Sequence, residues 1–187
     1  MTQARSIHTP LFVDLDGTLV KGDTLHVTIK EIISKRAASL PRLAISIFRG
    51  RAHFKKQASI IRLIDVASLP YHPELLFHLI EEKKLGRRLI LATGADQKIA
   101  NAVAAHLKIF DDIIASDGRI NLTGANKLRA IRAQVKEAPF DYVGDSITDF
   151  PIFLAARKCL LVNPSSGLLQ RVKDRCAIER IFYFDLH

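Results

Sequence analysis

Phe12-Val13-Asp14-Leu15-Asp16-Gly17-Thr18-Leu19-Val20 is an apolar run that ends in two carboxylates one residue apart, followed at once by Gly-Thr. Extended geometry places Asp14 and Asp16 on the same side, and a turn at Gly17 lets their roles diverge. An Asp-Gly turn closing a strand is common. A strand-end carboxylate between Val13 and Leu15, however, is costly to bury without a positive partner. The stretch therefore predicts a buried strand, Leu11–Leu15, that delivers a working carboxylate to the edge of a sheet.

Four further short runs, rich in apolar and β-branched residues, lie at Arg88–Ala92, Asp112–Ala115, Asp141–Val143 and Cys159–Val162. Helical periods fit between the later ones, at Asp96–Leu107, Asn126–Glu137 and Asp149–Arg157. Alternation of strand and helix predicts an α/β fold with a parallel, Rossmann-like sheet. Gly118–Gly124 is polar and turn-rich, a small hairpin or loop. Between the first and second strands the chain is far too long for a short crossover. It carries helical periods at Leu25–Ala38, Leu43–Ile47, Phe54–Val66 and Pro73–Lys84, punctuated by Pro41, Gly50, Pro70 and Pro73. This is a helical insertion over the end of the sheet.

Three more signals sit at predicted strand ends or helix starts. Leu89-Ile-Leu-Ala-Thr93-Gly94 ends a strand in a hydroxyl and a glycine just before a helix, a place where backbone N–H groups and a hydroxyl can hold an anion. Gly124-Ala-Asn126-Lys127 puts a lysine at a helix start, against the dipole, which is tolerable if it points inward to carboxylates and phosphate. Asp141-Tyr-Val-Gly144-Asp145 ends a strand in a second buried-type carboxylate. Asp149 follows four residues later, two before Pro151, where it can equally cap a helix. Carboxylate oxygens are what a hard Mg²⁺ ion selects. Separately the second and third signals are weak. All four fall on the carboxyl edge of one sheet, where open α/β sheets bind ligands.

The 187 residues, 48% hydrophobic and 25% charged, suit an ordinary globular chain, with no disordered, collagen-like or repeat composition. Cys159 and Cys176 form no framework, so a reducing compartment is expected. MTQARSIHTP has no apolar core of a leader, and no apolar run reaches ~20 residues, so a soluble cytoplasmic chain is the expectation. The net charge is +9, and residues 20–88 hold 14 Lys and Arg against 6 Asp and Glu. Either this is a solvated helical surface or it attracts an anionic partner. Candidate contacts there are His26, Arg49, Arg51, His53, Lys55 and Lys56.

Taken together, Asp14–Thr18, Thr93, Lys127 and Asp145–Asp149 resemble the motif set of the haloacid dehalogenase-like hydrolase superfamily. Val20-Lys-Gly-Asp23-Thr24-Leu25 and Val162-Asn163-Pro164 look like its phosphoserine-phosphatase-like branch. The resemblance implies a Rossmann-like core at 1–19 and 89–187, with a type-1 helical cap at 20–88. It implies a Mg²⁺-dependent phosphatase in which Asp14 attacks phosphorus and Asp16 acts as general acid and base. Thr18, Thr93, Gly94 and Lys127 would hold phosphoryl oxygens. Asp14, the Asp16 backbone carbonyl and Asp145 would hold the metal, and Asp149 would hold Lys127 or order metal-bound water. Halide displacement fits poorly, since it needs neither the second carboxylate nor a metal. A phosphotransferase using the same intermediate stays open. Leu69-Pro70-Tyr71, LATGAD and Leu161-Val-Asn-Pro164 also resemble the soluble domain found ahead of UbiA-type prenyltransferases. That implies, as an alternative, a regulatory or binding domain of a membrane prenyltransferase system. The expected partner is a small phosphorylated substrate, with an anionic membrane surface or such a prenyltransferase as the alternative, and no nucleic acid.

Overall fold

The computed structural model describes residues 9–26, 54, 56 and 65–184. Among them, six strands form one sheet: β1 (Leu11–Val13), β2 (Leu89–Asp96), β3 (Asp112–Ser116), β4 (Asp141–Gly144), β5 (Lys158–Val162) and β6 (Ile178–Phe182). Every pairing is parallel, and the order across the sheet is β3-β2-β1-β4-β5-β6. The chain lays β2 and β3 to one side of β1, then returns to its other side for β4. That reversal leaves a crevice at the carboxyl ends of β1 and β4.

The pleat sorts side chains to two faces. Leu11 and Val13 join Leu89, Leu91 and Val143 on one face, beneath Leu75 and Leu79 of α1 (Pro73–Lys84) and Ile99 and Val103 of α2 (Gln97–Leu107). Phe12, Ile90, Tyr142 and Leu161 point to the other face. They meet Ile131 of α3 (Ala125–Val135), Phe153 of α4 (Phe150–Ala155) and Leu168 of α5 (Ser166–Val172). Strands covered on both faces are apolar nearly throughout, as a parallel sheet requires. The α/β class and the parallel sheet are as the sequence predicts.

The local signals are visible in the caps. Pro73 opens α1, His72 Nδ1 accepts from Leu75 N at 3.3 Å, and Lys83 and Lys84 lie in the last turn. Asp96 caps α2 by accepting from Lys98 N at 3.0 Å.

Several elements differ from the sequence reading. β2 runs on to Asp96 and takes Thr93 and Gly94 into the strand, because β3 stays paired past an irregularity between Ala92 and Asp96. α5 and β6 are additional elements. α1 lies inside the 20–88 segment, yet Leu75 and Leu79 are fully buried against the sheet, so this helix belongs to the layer of the core. The helical periods at Leu25–Ala38, Leu43–Ile47 and Phe54–Val66 lie wholly or mostly outside the described residues. Among the described residues no helix is long and apolar enough to cross a membrane.

Candidate active site

The crevice beside β1 holds a cavity of about 540 Å³, and Asp14, Asp16, Gly94, Lys127, Asp145 and Asp149 all reach it. Asp14 follows β1 directly and Asp145 follows β4 directly, so neighbouring strands deliver the two carboxylates to one edge. Asp14 Oδ1 accepts from Leu15 N at 2.8 Å, and Oδ2 lies 2.9 Å from Lys127 Nζ. Gly17 turns the chain at φ +75, and a Cβ there would collide with the Asp145 carboxylate. The glycine therefore serves both the turn and the close approach of β4's loop. Beyond the turn Asp16 diverges from Asp14, its Oδ1 accepting from Thr24 N at 2.8 Å. Asp23 Oδ1 in turn accepts from Leu25 N at 2.7 Å.

Lys127 resolves the mismatch with its helix dipole by pointing inward. It is 2% exposed, and its Nζ lies 2.9 Å from Asp14 Oδ2 and 3.3 Å from Asp149 Oδ2. Asp149 makes no capping hydrogen bond with its side chain; its carboxylate is turned to Lys127 and to the Tyr142 hydroxyl, 2.8 Å away. Thr18 is fully buried and donates to Asp145 Oδ1 at 2.9 Å, so it stands behind that carboxylate rather than on the cavity wall. Thr93 is also fully buried, its Oγ1 accepting from Ala95 N at 3.0 Å, while Gly94 lines the cavity. The Gly94 carbonyl accepts from Ser116 Oγ at 2.9 Å.

Among the described residues five carboxylates reach this cavity against one ammonium. Burial pushes the Asp14 carboxyl well above its ordinary range; Lys127 pulls it back, while Asp149 and Asp145 push it further up. Burial also raises Asp145, with the Thr18 hydrogen bond opposing and Asp149 reinforcing. Burial lowers the Lys127 ammonium, but Asp14 and then Asp149 outweigh it, and the net direction is up. Among the described residues the cluster is thus short of positive charge.

The carboxylates that line the cavity offer oxygen donors. Among the described residues no group of three or more His, Cys, Asp or Glu side chains converges as a full cage. Carboxylate oxygens are the donors that Mg²⁺ takes, one or two at a time with waters beside them, and Asp14 and Asp145 offer such oxygens to the cavity.

Of the insertion candidates, His26 and Asp23 line the cavity mouth with His26 Nδ1 3.8 Å from Asp23 Oδ2, and Lys56 donates to the Asp117 carbonyl at 3.2 Å. Arg49, Arg51, His53 and Lys55 lie outside the described residues. Sequence reasoning missed Tyr142, whose only signal was a polar-tipped ring in an otherwise aliphatic strand. It also missed Asn121, Thr123, Ser146 and Thr148, polar loop residues that line the cavity.

The chain belongs to the haloacid dehalogenase-like hydrolase family, which it matches over residues 11–154. It is 36% identical over 165 residues to the uncharacterized protein y4nM of Sinorhizobium fredii, covering 88% of this chain and 32% of that one. The chain thus spans about a third of the length of that curated relative. Among solved structures, a protein of unknown function from Bordetella pertussis Tohama I superposes with a TM-score of 0.66 at 16% identity, covering 91% of this chain and 97% of the other. A phospho-aspartyl intermediate analogue of phosphoserine phosphatase superposes with a TM-score of 0.59 at 13% identity, covering 94% and 93%. At those identities the likeness is one of fold.

Proposed function

We propose that the chain is a Mg²⁺-dependent phosphatase that hydrolyses a phosphomonoester through an aspartyl-phosphate on Asp14. The observation that carries this reading is the buried Asp14 carboxylate, facing the cavity and held 2.9 Å from the Lys127 ammonium. A carboxylate so placed is a nucleophile whose negative charge is tempered by a fixed cation.

Asp14 Oδ attacks phosphorus, and the bond from phosphorus to the leaving oxygen breaks. Asp16 gives its proton to that oxygen, then takes one from the water that attacks the aspartyl-phosphate and frees Asp14 and inorganic phosphate. Its anchoring to Thr24 N keeps the Asp16 carboxyl on the insertion side, where the leaving group must depart. Lys127 and the backbone around Gly94 hold phosphoryl oxygens. Asp14, Asp145 and the Asp16 carbonyl would hold Mg²⁺, which offsets the repulsion between anionic nucleophile and anionic substrate. Asp149 serves through Lys127. The basic insertion, as a cap, guides the anionic substrate inward.

The test is release of inorganic phosphate from an aryl phosphate with and without Mg²⁺, in the wild type and in Asp14→Asn. Magnesium-dependent release that the substitution abolishes is expected; release that survives it removes the nucleophile.

A further inference from the structure

Lys127 carries three N–H donors, and among the described residues three acceptors surround them: Asp14 Oδ2 at 2.9 Å, Tyr142 Oη at 3.0 Å and Asp149 Oδ2 at 3.3 Å. Two of these are carboxylates expected at such a site. The third is a phenol with no exposure to solvent. An ammonium has no lone pair, so the phenol must accept from Lys127, and its single O–H is left for Asp149 Oδ2 at 2.8 Å. The hydroxyl proton is thereby oriented, and Lys127, Tyr142 and Asp149 close a triangle. Burial, followed by Asp14 and Asp149, raises the Tyr142 hydroxyl well above its ordinary range and keeps it neutral.

The strand is built to admit this ring. Tyr142 and Gly144 share one side of β4. A Cβ on Gly144 would stand 2.7 Å from Tyr142 Cε1 and 3.3 Å from Phe153 Cζ. The missing side chain lets the phenol lean along the strand to its carboxyl end, with Phe153 edge-on at 5.3 Å. An aliphatic residue would fill this core position equally well, whereas a buried phenol needs partners for its oxygen.

We propose that Tyr142 is a positioning residue, whose hydroxyl fixes the Lys127 ammonium so that one N–H is free for the phosphoryl group when Asp14 reacts. The proposal rests on the phosphatase reading. Once the Asp14 oxygen is bonded to phosphorus it is a weaker acceptor, and Tyr142 and Asp149 become the two points that hold the ammonium. A neutral acceptor does this without cancelling the charge that phosphate needs, as another carboxylate would.

Tyr142→Phe keeps the ring and its contact with Phe153 and removes one oxygen. With Mg²⁺ and an aryl phosphate, kcat should fall about ten- to a hundredfold, the range set by one hydrogen bond to a charged group. KM should move far less, because the loss is felt in the transition state. In the chain labelled with ¹⁵N-lysine and free of substrate, the Lys127 ammonium resonance, assigned with Lys127→Met, should shift and exchange faster with solvent. In a folded variant, either an unchanged kcat or an unchanged resonance overturns the proposal, and a lowered melting temperature with kcat preserved makes Tyr142 a packing residue. A wild type that hydrolyses no phosphate ester would remove the phosphatase reading instead. The resonance then decides alone: unchanged, it overturns the positioning; shifted, it sustains it.

Discussion

Strand β4 is four residues long and ends in a buried charged cluster on each side. At its amino end the fully buried Asp141 accepts from Arg157 Nε at 3.0 Å and Nη2 at 2.6 Å, from Lys158 N at 3.1 Å, and from Arg87 Nη2. Arg87 also donates to Glu82 Oε2 at 2.8 Å and to the Thr9 carbonyl at 3.2 Å. Two guanidinium groups face two carboxylates, and α1, β4, β5 and the approach to β1 are tied together. At the carboxyl end one ammonium faces Asp14 and Asp149, with Asp145 and Asp16 alongside. The first cluster is balanced, with Asp141, Arg87 and Glu82 buried and Arg157 on its solvent side. The second, among the described residues, has an excess of negative charge and opens on a cavity. Balance suits a fastening, and imbalance suits the proposed phosphatase site, where Mg²⁺ would offset the crowded carboxylates.

Asp14→Asn tests the unbalanced end most severely. The amide keeps the shape but cannot attack phosphorus, so turnover of an aryl phosphate should fall at least about 10³-fold. The melting temperature should hold or rise, because a crowded negative charge is gone. Substantial loss of stability would mean the carboxyl end is a fastening too.

Asp141→Ala is the counterpart at the balanced end. Removing the carboxylate shared by Arg87 and Arg157 leaves two guanidinium groups with only Glu82 between them, and about 3–5 kcal/mol of stability should be lost in urea unfolding. Activity per folded molecule should be unchanged. A drop in kcat without unfolding would erase the division between the two ends.

Asp145→Asn sharpens the comparison through pH. Asp145 and Asp14 have carboxyls raised by burial, so the folded chain holds their protons more tightly than the unfolded chain. Their contribution to stability is therefore full below the ordinary carboxylate range and is lost as pH rises through the raised folded values. At neutral pH in chelator, Asp145→Asn should melt roughly a few degrees above wild type. That gain should vanish in acid. Mg²⁺ should stabilise wild type and leave the variant unmoved. Equal melting curves at every pH would mean the carboxylates are not in conflict.

The sequence displays the carboxyl end far better than the amino end. Asp14, Asp16, Asp145 and Asp149 stand beside glycines and turns, and the order of those signals along the chain is itself informative. α1 was readable to the residue, because Pro73 opens it and Lys83 and Lys84 close it. Asp141 reads only as the first residue of a strand; its partners Arg87 and Arg157 are 54 and 16 positions away. Tyr142 was hidden for a similar reason, since its direction depends on a side chain that Gly144 lacks. β6 escaped because an edge strand that is half-exposed shows neither a continuous apolar run nor clean alternation. Thr93 and Gly94 were legible as a motif but not as strand, because pairing with β3 overrides the local turn signal.

The smallest expected effect separates the two arginines of the balanced end. Arg157 is bidentate on Asp141, which by geometry alone makes it the stronger partner. Its side chain is 39% exposed, however, whereas that of Arg87 is 10% exposed. Water can replace much of what Arg157 supplies, and after Arg157→Gln the Asp141 carboxylate still has Arg87 and the Lys158 N–H. The cost should be about 1 kcal/mol or less, and smaller in high salt. The hydrogen bond to Asp141 raises the Arg157 guanidinium further above its already high range, so this cost should not vary between pH 5 and 8. Arg87→Gln leaves both Glu82 and Asp141 short of a buried cation and should cost about 3 kcal/mol with little response to salt. Urea unfolding of both variants at low and high salt measures the difference. If Arg157→Gln costs as much as Arg87→Gln, the fastening is held from its solvent side rather than by its buried cation.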